Sequence, residues 1–141
     1  MQYDSSNLNS ITGQIIGLAI KVHRLLGPGL LESVYLTCLS YELRKAGLKV
    51  EREKIIPLFY EGIKLDQSYR LDLLVNEKVI VEIKAVESIA AIHRAQLLSY
   101  LKLTSCPIGL LINFNVELLK EGINRMVNNF SETSELAEFF T

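Results

Sequence analysis

The sequence predicts a single α/β domain in which a mixed β-sheet is flanked by helices. Two stretches with apolar residues at helical spacing come first, and strand-like stretches follow them. A third helical stretch then precedes a short, continuous apolar run of the kind found in buried strands. This order of two helices, antiparallel strands, a helix and a further strand implies the mixed sheet.

The composition of the chain limits the classes of protein to which it can belong. The 141 residues, 49% of them hydrophobic, suffice for one domain over 1–141, with the polar residues 1–8 expected to form a loose tail. No apolar run approaches the ~18 residues that cross a bilayer. The first residues lack the basic-then-apolar order of a secretory signal, so we expect a cytoplasmic protein without a membrane partner. The net charge of −1 gives no global attraction to nucleic acid.

Two helices are predicted before the sheet. The first carries an apolar stripe and has Asn9 or Ser10 as its cap; the stripe consists of Ile11, Ile15, Leu18, Val22 and Leu25. It ends at Gly27-Pro28-Gly29, because a proline disfavours helical angles in the residue before it. The second helix is predicted over 31–46 and ends at Gly47.

The strands follow from alternation and from turn residues. Residues 49–65 hold one or two strands, in which Pro57 indicates a sheet edge and Glu61-Gly62 a turn. Stronger strands are predicted over 69–75, 79–85 and 107–114, and a helix over 88–103. The segment 116–130 is ambiguous. The sequence SETSELAEFF near the end resembles a short capped helix.

Charged residues interrupt the two central strands. A three-residue turn at 76–78 pairs Val75 with Val79, and it brings the charges to one face of the hairpin, with Asp72 opposite Glu82 and Arg70 opposite Lys84. Leu71 and Leu73 then share the other, apolar face. A shift of one residue would bury the charges, so burial favours this register.

Opposed carboxylates of this kind need an explanation, because their Cβ atoms lie only ~5 Å apart and their charges repel. One explanation is a divalent cation, since Mg²⁺ prefers one or two carboxylates together with waters and phosphate oxygens. The other is two ion pairs on a solvated face, Arg70 with Asp72 and Glu82 with Lys84. The strand pattern alone leaves both open.

Several motifs resemble one family of nucleases. Asp72 followed by Glu82-Ile83-Lys84 resembles the D…(D/E)xK signature of the PD-(D/E)XK nuclease superfamily. GLLESVY, residues 29–35, resembles the pattern of its GxxExxY family. VHRLLGPGLLESVY, YRLDLLV, VEIKAV, HRAQLLSYL and GLLINF are similar to that family's blocks in order. The resemblance covers roughly residues 9–127. Leu71 stands where the superfamily's name has a proline.

The resemblance implies a restriction-endonuclease-like core and a role for each matching residue. Asp72, Glu82, Glu32 and the main-chain carbonyl of Ile83 are implied as ligands of Mg²⁺ or Mn²⁺. Lys84 is implied as the catalytic lysine. Gln96 and Tyr100 match the QxxxY motif of RecB-type members, which makes Gln96 a catalytic candidate. The candidate substrate contacts are Arg70, His93, Arg94 and Tyr100.

The function that the resemblance implies is metal-dependent hydrolysis of phosphodiester bonds in nucleic acid, with DNA and a RecB-like, end-processing action favoured. A nuclease fold that binds without cleaving is the alternative, and a structural ion-pair cluster is a third. A homo-oligomer or a protein partner is compatible with each of them.

Overall fold

The computed structural model describes residues 5–128, and the terminal helix predicted at SETSELAEFF lies outside them. This part of the chain holds three α-helices, five strands and a 3₁₀ turn at Leu119–Gly122. The helices are α1 (Ser5–Leu26), α2 (Glu32–Lys45) and α3 (Ala91–Thr104). The strands are β1 (Val50–Tyr60), β2 (Ile63–Val75), β3 (Val79–Lys84), β4 (Ile108–Asn113) and β5 (Ile123–Val127).

The strands form one mixed sheet, as predicted, and the structure gives their order as β1-β2-β3-β4-β5. β3 and β4 run parallel, joined through α3, and the other neighbours are antiparallel. β1 lies at an edge, where Pro57 removes no interior hydrogen bond. The ambiguous segment supplies the 3₁₀ turn and β5, which forms the opposite edge.

The sheet is covered by helices on both faces. One apolar cluster joins α1 and α2 to residues of β2, β3 and β4, including Leu73, Val81 and Ile83. A second cluster packs α3 against Leu71, Leu74 and Ile80 among others. β3 and β4 are therefore buried on both faces, which explains their nearly continuous apolar sequences.

Helix α1 differs from its prediction at both ends. It begins at Ser5, inside the stretch expected to be loose, because buried Leu8 extends its apolar stripe by one turn. At the other end Leu25 is 73% exposed, since Ala19 and His23 lie on the buried face instead. No helix within residues 5–128 is both long and apolar enough to cross a membrane.

The β2–β3 hairpin has the predicted register near its turn. Val75 pairs with Val79 and Leu73 with Val81, and Lys78 donates its N–H to the Val75 carbonyl. Asn76 and Glu77 adopt left-handed backbone angles, as a tight hairpin turn requires. The Asn76 side chain accepts the Lys49 N–H at 2.9 Å, which joins this turn to the start of β1.

Candidate active site

The strands β2 and β3 separate at the level of Asp72 and Glu82. Their backbone ladder ends at the Leu73–Val81 pair. Beyond it the Asp72 N–H donates to Glu82 Oε2, and the Ile83 N–H donates to Asp72 Oδ2, each at 2.8 Å. Each carboxylate thus replaces a main-chain acceptor of the neighbouring strand. The two side chains meet at this opening, as the hairpin register predicts.

The strict alternation expected for β2 fails at Asp72. Leu71 packs in the cluster under α3, whereas Leu73 packs in the cluster under α1 and α2, so the prediction that they share a face is wrong. The neighbouring strand β1 is irregular at the same level, because Glu53 has a φ of 53° and is missing from the β1–β2 ladder. This paired irregularity turns the strand at Asp72 and opens it from β3.

The carboxylates have no cationic partner in residues 5–128. No lysine or arginine lies within salt-bridge distance of Asp72 or Glu82 in this range. Arg70 instead approaches Glu53, at 3.9 Å, and is largely exposed. The explanation of the cluster as two structural ion pairs, Arg70 with Asp72 and Glu82 with Lys84, is therefore wrong.

Burial leaves this carboxylate pair in an unfavourable electrostatic environment. Glu82 is 5% exposed, and burial together with the charge of Asp72 raises its pKa to about 8. Burial also raises the pKa of Asp72, although the Ile83 N–H and the charge of Lys84 act in the opposite direction. Two buried carboxylates without a cation tend to retain a proton, and a bound metal ion would remove the need for it.

Glu32 reaches the same opening from α2. It occupies the first turn of the helix, and its Oε2 accepts the Ala85 N–H at 3.1 Å, directly after Lys84. Its charge also raises the pKa of Asp72 and of Glu82, which places it within electrostatic range. Glu32 therefore adds a third carboxylate to the rim of the opening.

The loop before α2 is held in place by Tyr35, which is fully buried. Its hydroxyl donates to the Gly27 carbonyl at 2.6 Å and accepts the Leu30 N–H at 3.1 Å, and its ring stacks on Phe114. Gly27 and Gly29 have positive φ angles that favour glycine. The spacing of glycine, glutamate and tyrosine in GLLESVY thus has a physical reason, because the tyrosine closes the loop that aims the glutamate.

Helix α3 contributes Tyr100 to the opposite wall. Tyr100 is buried, its ring lies against Tyr69, and burial followed by the charge of Glu82 raises its pKa to about 12. Gln96 lies one turn earlier on the helix and is exposed. The QLLSY motif therefore places the tyrosine beside the carboxylates and the glutamine at the surface. Tyr69 is a neighbour that the sequence reasoning missed.

The remaining candidate substrate contacts have structural partners. His93 accepts the Ala90 N–H through Nδ1 at 3.0 Å, so it caps the first turn of α3. Arg94 donates to the Asn124 side chain on β5 at 3.1 Å. Both side chains thus help to hold α3 in place. Within the described residues, neither forms a hydrogen bond with a carboxylate of the opening.

Asn113 is a further site residue that sequence reasoning missed. Its buried side chain bonds both the N–H and the carbonyl of Val86, at 3.1 and 2.9 Å. It thereby fixes the chain two residues beyond Lys84. The available signal was an asparagine ending an otherwise apolar strand, where a buried amide needs two partners.

The donor set fits a divalent cation of the hard, oxygen-preferring kind. Asp72 and Glu82 offer carboxylate oxygens. The negative charges of these two side chains, which form no salt bridge in residues 5–128, favour a cation at this opening. Within residues 5–128 no three aspartate, glutamate, histidine or cysteine side chains converge closely enough to form a complete metal site. The pair can supply part of a coordination shell, and water or a phosphate group must supply the rest.

A comparison with protein families agrees with this geometry. A family model described as the PD-(D/E)XK nuclease superfamily matches residues 9–126. The chain belongs to the PD-(D/E)XK nuclease superfamily. Nucleases of this superfamily generally use divalent metal ions, and the matched range contains every element of the opening between β2 and β3. Searches of curated proteins and of solved structures return no significant match.

The role of Tyr35 in this PD-(D/E)XK protein leads to a first prediction. Tyr35→Phe keeps the stacked ring but leaves the Gly27 carbonyl without its hydroxyl donor, which we expect to lower the free energy of unfolding by about 1–3 kcal/mol. We also expect turnover to fall below the level that the unfolded fraction explains, because Glu32 loses its fixed approach. Urea unfolding and a nuclease assay measure the two effects.

The matched control is Tyr41→Phe, an exposed tyrosine on the same helix. It should change neither stability nor turnover. Equal turnover for Tyr35→Phe and the unmodified protein would contradict the positioning role, even if stability fell.

Proposed function

We propose that this protein is a divalent-metal-dependent nuclease that hydrolyses phosphodiester bonds. The observation that carries the proposal is the pair of Asp72, which is half-buried, and Glu82, which is buried; neither carboxylate forms a salt bridge in residues 5–128. A purely structural pair of this kind would destabilise the fold without benefit. Superfamily membership over most of the chain supports the same conclusion.

The residues proposed to hold the ion are Asp72, Glu82 and the main-chain carbonyl of Ile83. Mg²⁺ or Mn²⁺ suits these oxygen donors. When bound, the ion supplies Lewis-acid stabilisation of the phosphate and lowers the pKa of its water. Glu32 is proposed to complete the negative charge of the site and to hold the backbone of Ala85, with any ligand role passing through water.

Lys84 is proposed as the residue that stabilises charge on the scissile phosphate. It follows Glu82 by two residues at the end of β3, is half-buried, and forms no salt bridge in residues 5–128. An ammonium held in a poorly solvated opening interacts strongly with an anion that arrives there. The Tyr100 hydroxyl is proposed to contact the substrate from the opposite wall, while exposed Gln96 meets it nearer to solvent.

We favour DNA as the substrate and the processing of its ends as the mode of cleavage. The RecB-like QLLSY motif supports this proposal, because its tyrosine lies beside Glu82. Membership of the GxxExxY family is proposed on the interlocking roles of Gly29, Glu32 and Tyr35. Arg70, on the exposed part of β2, and His93 and Arg94, on the first turn of α3, are proposed secondary contacts with the substrate backbone. Association with a second copy of the chain or with a protein partner stays a prediction.

The decisive experiment is a cleavage assay on end-labelled single-stranded and duplex DNA and RNA. We expect cleavage with Mg²⁺ or Mn²⁺ and none with EDTA. Saturating metal should also raise the melting temperature, because an ion that binds only the folded state stabilises it by mass action. Metal binding without cleavage of any substrate would contradict nuclease activity and would favour the nuclease-fold binding module.

A further inference from the structure

Four depressions that share lining residues, together called the groove, lead away from the proposed active site along α2. The groove begins at a depression of about 400 Å³ beside Ala85, lined by Leu30, Leu31, Glu32 and Ser33. Ser33 also lines a second depression of about 260 Å³ together with Val34, Thr37 and Cys38. The depressions therefore adjoin, and the path starts where Glu32 contacts the end of β3.

The middle of the groove is apolar. Thr37 and Cys38 continue into a cavity of about 310 Å³ between α1 and α2, with Leu25, Leu26 and Tyr41 in its walls. Leu25, Leu31 and Tyr41 are 73, 72 and 62% exposed. Large apolar side chains exposed in a row next to a proposed active site indicate a binding surface rather than scattered surface residues.

The far end of the groove is cationic. Thr37 and Tyr41 line a last depression of about 530 Å³ with Arg44, Lys45 and Arg52. The Lys45 ammonium lies 5.8 Å from the centre of the Tyr41 ring. The negative charge of Glu42, a carboxylate in the groove wall, is compensated by the Lys21 ammonium at 2.7 Å. Arg52 is partly compensated by Glu53, so Arg44 and Lys45 dominate the charge.

We propose that this groove, which we name the α2 track, binds an unpaired nucleic acid strand and leads it to the carboxylates. The inference rests on the proposed function. Proteins that hold single strands combine cationic side chains for the phosphates with aromatic or apolar surfaces for the bases. In a duplex the base faces are stacked inside, so the apolar part of the α2 track is complementary only to an unpaired strand.

The charge of the chain supports this choice of occupant. With a net charge of −1 the protein as a whole does not attract a polyanion, so binding depends on a local surface. The α2 track links such a surface to the proposed site through depressions that share lining residues. A protein partner would need no connection with the carboxylates and gains nothing from the cationic end.

Fluorescence anisotropy of labelled oligothymidylate in EDTA tests the α2 track without involving catalysis. We expect the unmodified protein to bind the single strand at least about tenfold more tightly than a blunt duplex of equal length. Tyr41→Ala should weaken single-strand binding about tenfold, within the range for loss of one stacked base, and Tyr41→Phe should retain it. Lys45→Glu should weaken binding and make the salt dependence shallower by about 0.7 in the log–log slope.

Matched controls come from the tip of the β1–β2 hairpin, whose residues Tyr60 and Lys64 do not line the α2 track. Tyr60→Ala and Lys64→Glu alter an exposed tyrosine and an exposed lysine there and should leave binding unchanged. Melting temperatures show whether each variant is folded, and Lys45→Glu carries the test if Tyr41→Ala is not.

The outcomes separate the α2 track from the proposed nuclease activity. Selective single-strand binding that is lost in Tyr41→Ala and Lys45→Glu supports the track even if no substrate is cleaved. Equal binding by these variants and the unmodified protein overturns the track, whether or not cleavage occurs. Failure of the unmodified protein to bind the single strand, or equal affinity for the duplex, also overturns it.

Discussion

Glu82→Gln should reduce cleavage by at least about a hundredfold and at the same time stabilise the metal-free protein at alkaline pH. The loss of activity follows from removing a proposed metal ligand, and its size is that typical of deleting one charge-stabilising group. The gain in stability follows from removing a charge that burial and the charge of Asp72 both disfavour. The glutamine oxygen can still accept the Asp72 N–H.

The sign of the pH effect is set by the raised pKa. Glu82 has a pKa of about 8 in the folded protein against 4.5 for an ordinary glutamate. Its contribution to stability is therefore complete below about 4.5 and is lost as the pH rises through about 8. Without metal, the free energy of unfolding should fall across this window by up to about 1.4 kcal/mol per pH unit. The raised pKa of Asp72 acts in the same direction.

Urea unfolding at several pH values, with EDTA and with Mn²⁺, measures this effect. The alkaline loss of stability should be smaller in Glu82→Gln, and Mn²⁺ should reverse it only in the unmodified protein. Glu61→Gln, at the exposed β1–β2 turn, is the control and should behave like the unmodified protein. A Glu82→Gln protein that is less stable than the control at pH 8 would argue against an uncompensated buried charge.

Lys84→Met should strongly reduce cleavage while leaving Mn²⁺ binding intact. Methionine keeps the length of the side chain, and an ammonium cannot ligate a cation. Loss of the nearby positive charge should even tighten metal binding slightly. We expect a rate loss of about 10²–10³-fold, the range found when one preorganised stabilising group is removed. Isothermal titration with Mn²⁺ and the cleavage assay, on the same preparations, give the two quantities.

The control is Lys64→Met on the exposed hairpin, which should change neither quantity. Cleavage by Lys84→Met at the rate of the unmodified protein would exclude a catalytic role for this lysine. Parallel loss of metal binding and cleavage would indicate that the substitution had disturbed the strand itself.

Local periodicity determined much of the fold in advance. The turn residues and the alternating pattern of β2 and β3 predicted the Val75–Val79 and Leu73–Val81 pairs. The expectation that this register keeps the charges out of the core is wrong for Glu82, which is buried. The same reasoning brought Asp72 and Glu82 together, which the structure bears out through their main-chain hydrogen bonds. The order of helices and strands was sufficient to predict the mixed sheet.

Local periodicity could not predict contacts between residues that are distant in sequence. The left-handed backbone at Glu53 and the change of face between Leu71 and Leu73 depend on how two strands twist against each other. The bond between Arg94 and Asn124 required the position of α3 relative to β5. A polar stripe on a helix does not by itself indicate whether that face of the helix contacts solvent or contacts other residues of the protein.

The sequence by itself determined the mixed α/β architecture, the hairpin register and the set of candidate residues, because these follow from side-chain periodicity and motif spacing along one stretch of chain. Only the tertiary structure decided that Glu82 is buried beside half-buried Asp72 without a salt bridge in residues 5–128, and that Tyr35 fixes the Glu32 loop. It alone showed the groove along α2. Burial, charge compensation and concave surfaces arise when separate elements pack together, and no local pattern specifies them.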